Sequence, residues 1–517
     1  MILGMRSVVE MEEPRMANKP VAEASARPQK TGRDPFLARV IASLVFLFEK
    51  MAPDPFVFAV ILTVLTAVLA YTLVGTSSVR DIGSAWYNGV FAILTFAFQM
   101  VMVLVTGYSL ATSPWVHKIL EKISSLPKSP RDAVSLTIVI GMLASWVNWG
   151  FGLVVAGLLA REIAKRVRLD FGWLVAAAYT GFVISTEGLS GSIALSQATP
   201  GSALNFVEKM TGHGLPLTQT IFTRMNLVPV IALFILLPII FRYTEPPPDD
   251  SIIADPEKLR SEDLAKQPSH KSKTLAAWLD RAWILNVFLV VVGVIGLGAH
   301  WRQAGFSFDI NSVILIFLLL GLLFHWRPIA YVDAIKNAAR VTGPLILQYP
   351  LYGGIMGIMS ATGLAGVISK TFLSFSNAST LPFWTYVSSL IITLFIPSGG
   401  GHWAVQGPFV LPAARDLHAS MAGTTMAVAM GESVANMIQP FFGRARRIWR
   451  CIAVPGSERL RPRLLHSSFR SCSRTCSAVS GRYFPSRVMA SCPARLRMYL
   501  RYSFSLGSSG CPGWRFT

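Results

Sequence analysis

The amino-acid sequence predicts an all-α polytopic membrane protein. Its layout is two inverted repeats, each with a re-entrant helical hairpin and a broken transmembrane helix. Three observations carry this. Of 517 residues, 52% are hydrophobic and 14% charged, whereas soluble domains carry about a quarter charged residues. Several apolar windows have the length a helix needs to span a bilayer core, roughly 17–25 residues. Finally, two apolar stretches are interrupted where a lipid-crossing helix ought to be continuous: "SWVNWGFGLVV" (Ser145–Val155) and "LFIPSGGGHWAVQGPFVLP" (Leu394–Pro412).

Taken in order, residues 1–35 mix Glu, Arg, Pro and Ala without an apolar run. They are expected to be a disordered cytoplasmic lead-in and not a cleaved signal. Phe36–Lys50 has the spacing of an interfacial helix, with a cytoplasmic extension of the first span as the alternative. Spans are expected at Pro55–Gly75, Asn88–Ala111, Ile221–Phe241, Ala282–Ala299 and Asn311–Trp326. The basic connections Ser113–Asp132, Arg161–Arg168, Arg242–Arg281 and Arg327–Arg340 mark the cytoplasmic side, and the nearly neutral Thr76–Trp86, Asn205–Thr220 and His300–Asp309 mark the other.

Val134–Ala160 lies between two basic connections, so a single crossing would put one of them outside. A hairpin entering and leaving from the cytoplasm would not, and Asn148, Gly150 and Gly152 would form its tip. One long tilted helix, with glycines at packing contacts, is the alternative. The second unit runs Pro382–Ile396, then "PSGGGHW", then Ala404–Ala414. It comes after a span near Gly343–Ser369, and its flanks are poor in positive charge, so it is expected to enter from outside. Downstream of each hairpin a polar stretch interrupts another apolar region: Ser185–Gly201 and Ala429–Pro440.

The halves share a layout and no convincing residue identity. The expected division is a first repeat at 36–242, a cytoplasmic linker at 243–281, a connecting span at 282–300, and a second repeat at 301–442 that the connecting span inverts. Broken helices meeting inside the membrane are a secondary-transporter architecture.

The formal charge of +20 is unevenly spread. Residues 443–517 hold 15 Arg, no Lys and one acid, Glu458, which leaves +6 on the first 442 residues. Such a distribution gives no reason to expect a nucleic-acid partner. All five cysteines (Cys451, Cys472, Cys476, Cys492, Cys511) lie in the same tail, with no second ligand pair, so no metal site is expected.

Helix N-termini carry unpaired N–H groups and a partial positive charge, so two opposed tips can hold a carboxylate without a buried Lys or Arg. The candidate substrate-binding residues are Asn148, Gly150, Gly152, Ser190, Gly191, Ser192, Thr199, Ser398, Gly399, Gly400, Gly401, His402 and Trp403. The alternative for the tips is a role in helix packing alone. Trp149 and Trp403 are candidate walls for a short apolar tail or interfacial anchors, and His402 is a titrating group or a hydrogen-bonded spacer. Glu432 and Asn436 are candidates for a coupling ion, H⁺ or Na⁺. Glu187 is expected to snorkel to water or pair with a neighbour, with a functional carboxylate as the rival reading. No other cofactor is expected. The body has no nucleophile elbow, zinc-ligand pair or opposed carboxylate dyad, so no enzyme is expected.

"VNWGFGLVVAGLLAREIAKR", "GLSGSIALSQATPG", "IPSGGGHWAVQGPFVLPAA" and "GESVANMIQPFF" resemble the short-chain fatty acids transporter family, over about residues 36–442. The resemblance implies a secondary transporter of short monocarboxylates of the acetoacetate and butyrate type. It implies membership of a wider ion-transporter superfamily that places substrate between two hairpin tips. It puts Asn148, Gly150 and Gly152 at the first tip, Ser398 to Trp403 at the second, and Ser190 to Ser192 and Glu432 to Pro440 in the broken spans. Glu187 departs from the small or neutral residue expected at its position.

Residues 443–517 depart altogether, since such transporters continue there with apolar sequence. The tail is expected to be a shifted reading frame, making an inactive truncated product one alternative. A basic segment that binds anionic lipid or nucleic acid is another. A dicarboxylate or other anion is the alternative substrate. The expected setting is a cell membrane (plasma or inner), crossed several times, with the N-terminus cytoplasmic, membrane lipid as partner, symport as mode, and a homodimer allowed.

Overall fold

A computed structural model of the chain describes residues 53–75, 77–245, 253–265, 274–306 and 308–437. The expectations for 1–35, for Phe36–Lys50 and for 443–517 lie outside the described residues. Among those described there is no strand, only one isolated bridge, Asp170 to Ile253.

The first repeat opens with α1 (Pro55–Leu69), capped by the Asp54 carboxylate and continued by a π-helical turn to Val74. Next, α2 (Val79–Ala92) and α3 (Leu94–Ala111) join into one apolar span of 33 residues. The sequence placed the start of this span at Asn88. A capping box between Ser78 and Asp81 begins the helix at Val79 instead. The helix α4 (Pro114–Ile123) then precedes the hairpin α5 (Pro130–Val147) and α6 (Trp149–Ala164), which have only Asn148 between them. The interrupted element is α7 (Phe171–Thr180), a non-helical stretch 181–191, and α8 (Ser192–Ala198). A short α9 (Phe206–Thr211) and the span α10 (Arg224–Arg242) close the repeat.

The linker contributes α11 (Pro256–Ala265) and α12 (Leu275–Leu279), and the span α13 (Trp283–Ala304) comes next. The second repeat holds α14 (Ile310–His325) and α15 (Pro328–Ala339), then α16 (Gly343–Thr362), bent by 77° into α17 (Leu364–Phe375). Its hairpin is α18 (Leu381–Thr393) and α19 (Gly399–Asp416), with α20 (Met421–Asn436) after it. Here one expectation is corrected. The helix α20 stays regular through Gly431 and Asn436, so the interruption expected across Ala429–Pro440 does not begin before Met437. Residues 438–440 lie outside the described ones.

The packing shows the repeat that residue identity hides. In the first half α3 packs on α14, α15 and α6; in the second, α16 packs on the matching α1, α2 and α19. Each repeat thus builds its central helix against the other's leading pair. The crossing of α2 and α16 is backbone against backbone. A Cβ placed on Gly353 would lie 2.5 Å from the Gly89 carbonyl oxygen, and one on Gly357 would lie 2.8 Å from the Gly89 Cα. Small residues let helices approach this closely where lipid offers no hydrophobic drive. Outside, α1, α10 and α13 turn Ile61, Val64, Ile231, Ile235, Phe288 and Ile295 outward, the surface expected of helices that meet lipid tails.

Both ends of the first hairpin meet the same neighbours. At its entry, Arg131 pairs with Glu245 (2.9 Å), and Asp132 with Arg242 (3.0 Å) at the end of α10. At its exit, the Arg161 guanidinium donates to the Leu259 carbonyl (3.1 Å), and Arg260 donates to the Lys165 carbonyl (3.3 Å). The segment leaving α10 therefore touches both, which is the geometry of a hairpin that returns to its own side. The second hairpin closes in the same way, with Leu381 from its start packed against Ala413 and Ala414 from its end.

Candidate functional site

Each hairpin turns at a residue that caps the returning helix. Asn148 has φ −152° and ψ 124°, and its side-chain oxygen accepts from the Phe151 N–H at 2.9 Å. Ser398 has φ −156° and ψ 116°, and its hydroxyl accepts from the Gly401 N–H at 3.5 Å. Two unlike sequences thus reach one local geometry, because Asn and Ser both supply the short acceptor an N-cap needs. Each tip is seated on the central helix of its own repeat. A Cβ on Gly150 would fall 2.8 Å from Leu104 Cα in α3, and one on Gly400 would fall 3.0 Å from the Tyr349 hydroxyl in α16.

The interrupted stretch 181–191 joins the tips. Leu189 N–H donates to the Trp146 carbonyl (2.7 Å), and the Trp149 N–H, first in α6, donates to the Ser190 hydroxyl (2.8 Å). Two residues on, Ser192 faces the other tip: a Cβ at Gly399 would meet Ser192 Oγ at 2.5 Å and Glu432 Oε2 at 3.0 Å. Ser190 and Ser192 therefore stand between the start of α6 and the start of α19, with Gly191 linking them. Irregular backbone at this depth is tolerable because protein surrounds it: Thr186, Glu187, Ser190 and Gly191 are all buried.

Four expected site residues are turned elsewhere. Thr199 ends α8, accepts from the Ile310 N–H (3.1 Å) and so caps α14. The six remaining residues of α8 separate it from Ser192. His402 lies inside its own hairpin, one ring nitrogen against Thr393 Oγ1 (2.9 Å) and the other against the Gln406 side-chain oxygen. Trp403 donates its indole N–H to the Leu204 carbonyl (3.0 Å) and packs on Phe206. Gly152 lies against the Ser145 backbone, where its missing side chain lets α5 and α6 touch.

Several polar groups at the site have no protein partner. The Asn148 amide nitrogen is fully buried and unpaired, as are Glu432 Oε2 and Asn436 Oδ1. The Tyr349 hydroxyl accepts from the Ser398 hydroxyl at 3.0 Å, and its ring stands edge-on to Phe96. The sequence did not single out Phe96, Tyr349, Thr186 or Ser433. Each looks like ordinary helix content until the fold sets it beside a tip. Among the described residues, no Lys or Arg is paired with Glu187 or Glu432, and no group of His, Cys, Asp and Glu has the arrangement of a metal site.

Residues 36–446 match the sequence profile of a family described as "Short chain fatty acid transporter". A protein of Escherichia coli K12, provisionally named a short-chain fatty acid transporter, is 38% identical over 407 residues, 78% of this chain and 91% of that one. A Haemophilus influenzae protein of the same provisional name is 38% identical over 410 residues, 78% of this chain and 92% of its own. Among solved structures, the YdaH transporter of Alcanivorax borkumensis aligns over 78% of this chain and 92% of its own, at 15% identity and a TM-score of 0.44.

Proposed function

The chain belongs to the short chain fatty acid transporter family, and from that premise we propose how it handles its substrate. It moves short-chain monocarboxylates across a cell membrane as a secondary transporter, holding the carboxylate between the tips at Asn148–Gly150 and Ser398–Gly400. One observation carries this reading. Two helices of 16 and 18 residues, capped by Asn148 and Ser398, begin on either side of Ser190 and Ser192, and the Asn148 amide nitrogen is left unpaired.

The first N–H groups of each helix lack intrahelical partners, and each helix dipole favours an anion at that end. A carboxylate placed there accepts from main-chain N–H, from the Asn148 amide and from the Ser398 hydroxyl, which turns to it from Tyr349. The missing Lys or Arg suits a single carboxylate better than two. Phe96 and Tyr349 supply apolar surface beside Ser398 for a short tail. Glu432, with Asn436 donating to its Oε1 at 2.8 Å, is the group we assign to the coupling cation.

The test is uptake of labelled butyrate by the full chain in proteoliposomes. Ser398→Ala should lower uptake roughly tenfold or more, the cost of removing a hydrogen bond to a charged group. Unchanged uptake would remove the site assignment. Excess unlabelled butyrate should compete and succinate should not; the reverse would reassign the carrier to dicarboxylates.

A further inference from the structure

Two acidic side chains, one from each repeat, meet behind the tips. Glu187 comes from the interrupted stretch of the first repeat and Glu432 from α20 of the second, and they are 6% and 2% exposed. A pair of hydroxyls ties Glu187 to Ser433, the residue next to Glu432. Ser433, next to Glu432, donates to Glu187 Oε2 (2.8 Å) and shares a hydrogen bond with Thr186. The Thr186 hydroxyl also reaches the Ala429 carbonyl (3.1 Å). Glu432 Oε1 accepts from Asn436, while its Oε2 has no partner and points at Gly399.

Among the described residues, the groups that face this pair are neutral or acid-capable. Helix α7 offers the Tyr179 hydroxyl, which donates to the Asn436 carbonyl (2.8 Å). Helix α16 offers Tyr349, and α19 offers His402, both of whose ring nitrogens are engaged within its hairpin. From α8, α10 and α18 come Ser192, Asn226 and Ser389. Two buried carboxylates without a cation cannot both be ionised at acceptable cost.

We infer that Glu187 and Glu432 hold one exchangeable proton between them, and that this proton crosses the membrane with the substrate carboxylate. The inference rests on the transporter reading above and adds Glu187 to it. Its logic is electrostatic. An ionised Glu432 aimed at Gly399 would repel an arriving carboxylate; a protonated one is neutral and can donate to it. Each ligand therefore favours the other, reciprocally. One anion and one proton enter together, so the cycle moves no net charge. Because Thr186 and Glu187 grip α20 at Ala429 and Ser433, the proton site straddles the boundary between the repeats.

The test uses the full chain in proteoliposomes with labelled butyrate. An inside-alkaline gradient should raise native uptake about tenfold, while an imposed membrane potential should leave it unchanged. Glu187→Gln should lose the response to the pH gradient, and Glu187→Asp should recover part of it. A pH response retained in Glu187→Gln, or uptake driven by a Na⁺ gradient alone, would overturn the inference and leave the transporter reading standing. A second readout needs no transport. At neutral pH the native protein should show a carboxylic-acid carbonyl band in the infrared that the double variant E187Q/E432Q lacks. If no form of the protein takes up butyrate, the transporter reading falls, and this band alone decides for or against the shared proton.

Discussion

Asn148 and Ser398 show what single residues decide in this molecule. Each ends one arm of a hairpin and starts the next helix with a side-chain acceptor, so each sets where a helix N-terminus points. Asn148→Ala removes both the cap and the unpaired amide, and should lower butyrate uptake at least as much as Ser398→Ala does. Glycines act by absence. Gly89 lies where α2 and α16 cross, against the Gly353 carbonyl and the Gly357 backbone. Gly89→Ala should push those helices apart at a cost of about 1–3 kcal/mol, the usual penalty of overpacking. A thermal melt of the purified protein, with Gly83→Ala as control, measures it, since a Cβ at Gly83 meets nothing. An unshifted melt would mean that the crossing relaxes freely. The roles of Asn148, Gly150 and Ser398 as helix starts were readable beforehand, because polar and glycine residues inside an apolar run break a helix that lipid would otherwise keep continuous. The duties of His402 and Trp403 were not. A ring at a glycine-rich tip has the same sequence signature whether it faces a ligand or its own hairpin.

At the scale of elements, the first hairpin depends on its mouth. The ion pairs Arg131–Glu245 and Arg242–Asp132, with the Arg161 contact to Leu259, hold both of its ends to the segment leaving α10. Cysteines introduced at the exposed Lys128 and Arg166, in a chain with its five native cysteines replaced, should react with an impermeant thiol reagent from one side only, and the same side. Labelling from opposite sides would make α5 and α6 a single crossing. Leu259, 1% exposed, anchors α11 against the hairpin core. Leu259→Asp should release that helix and speed proteolytic cleavage of the linker, while Leu259→Met should leave the cleavage rate near native. Charge asymmetry predicted the hairpin because basic loops on both flanks forbid a simple crossing. It did not predict that α11 packs on the hairpin, as a polar linker helix carries no periodic signal beyond one buried Leu.

For the whole molecule, the question is how two halves without shared residues make one site. The answer lies in exchanged packing: α3 on α14 and α15, α16 on α1 and α2, and each tip on its own central helix. The proposed site belongs to neither half, since Ser190 and Ser192 come from one and Ser398, Gly399 and Glu432 from the other. Asn148→Ala and Ser398→Ala combined should therefore cost less than the sum of their separate effects on uptake, as expected for groups holding one ligand; full additivity would separate the tips functionally. The sequence by itself determined the membrane setting, the spans, the two hairpins and the family, because hydropathy, charge bias and glycine-rich breaks are local properties legible along the chain. Only the tertiary structure decided which polar residues meet. It brought Glu187 to Ser433, set Ser192 against Gly399, and turned Thr199 toward α14. Those are contacts across scores of residues, and a buried polar group declares its partner only once the helices around it have packed.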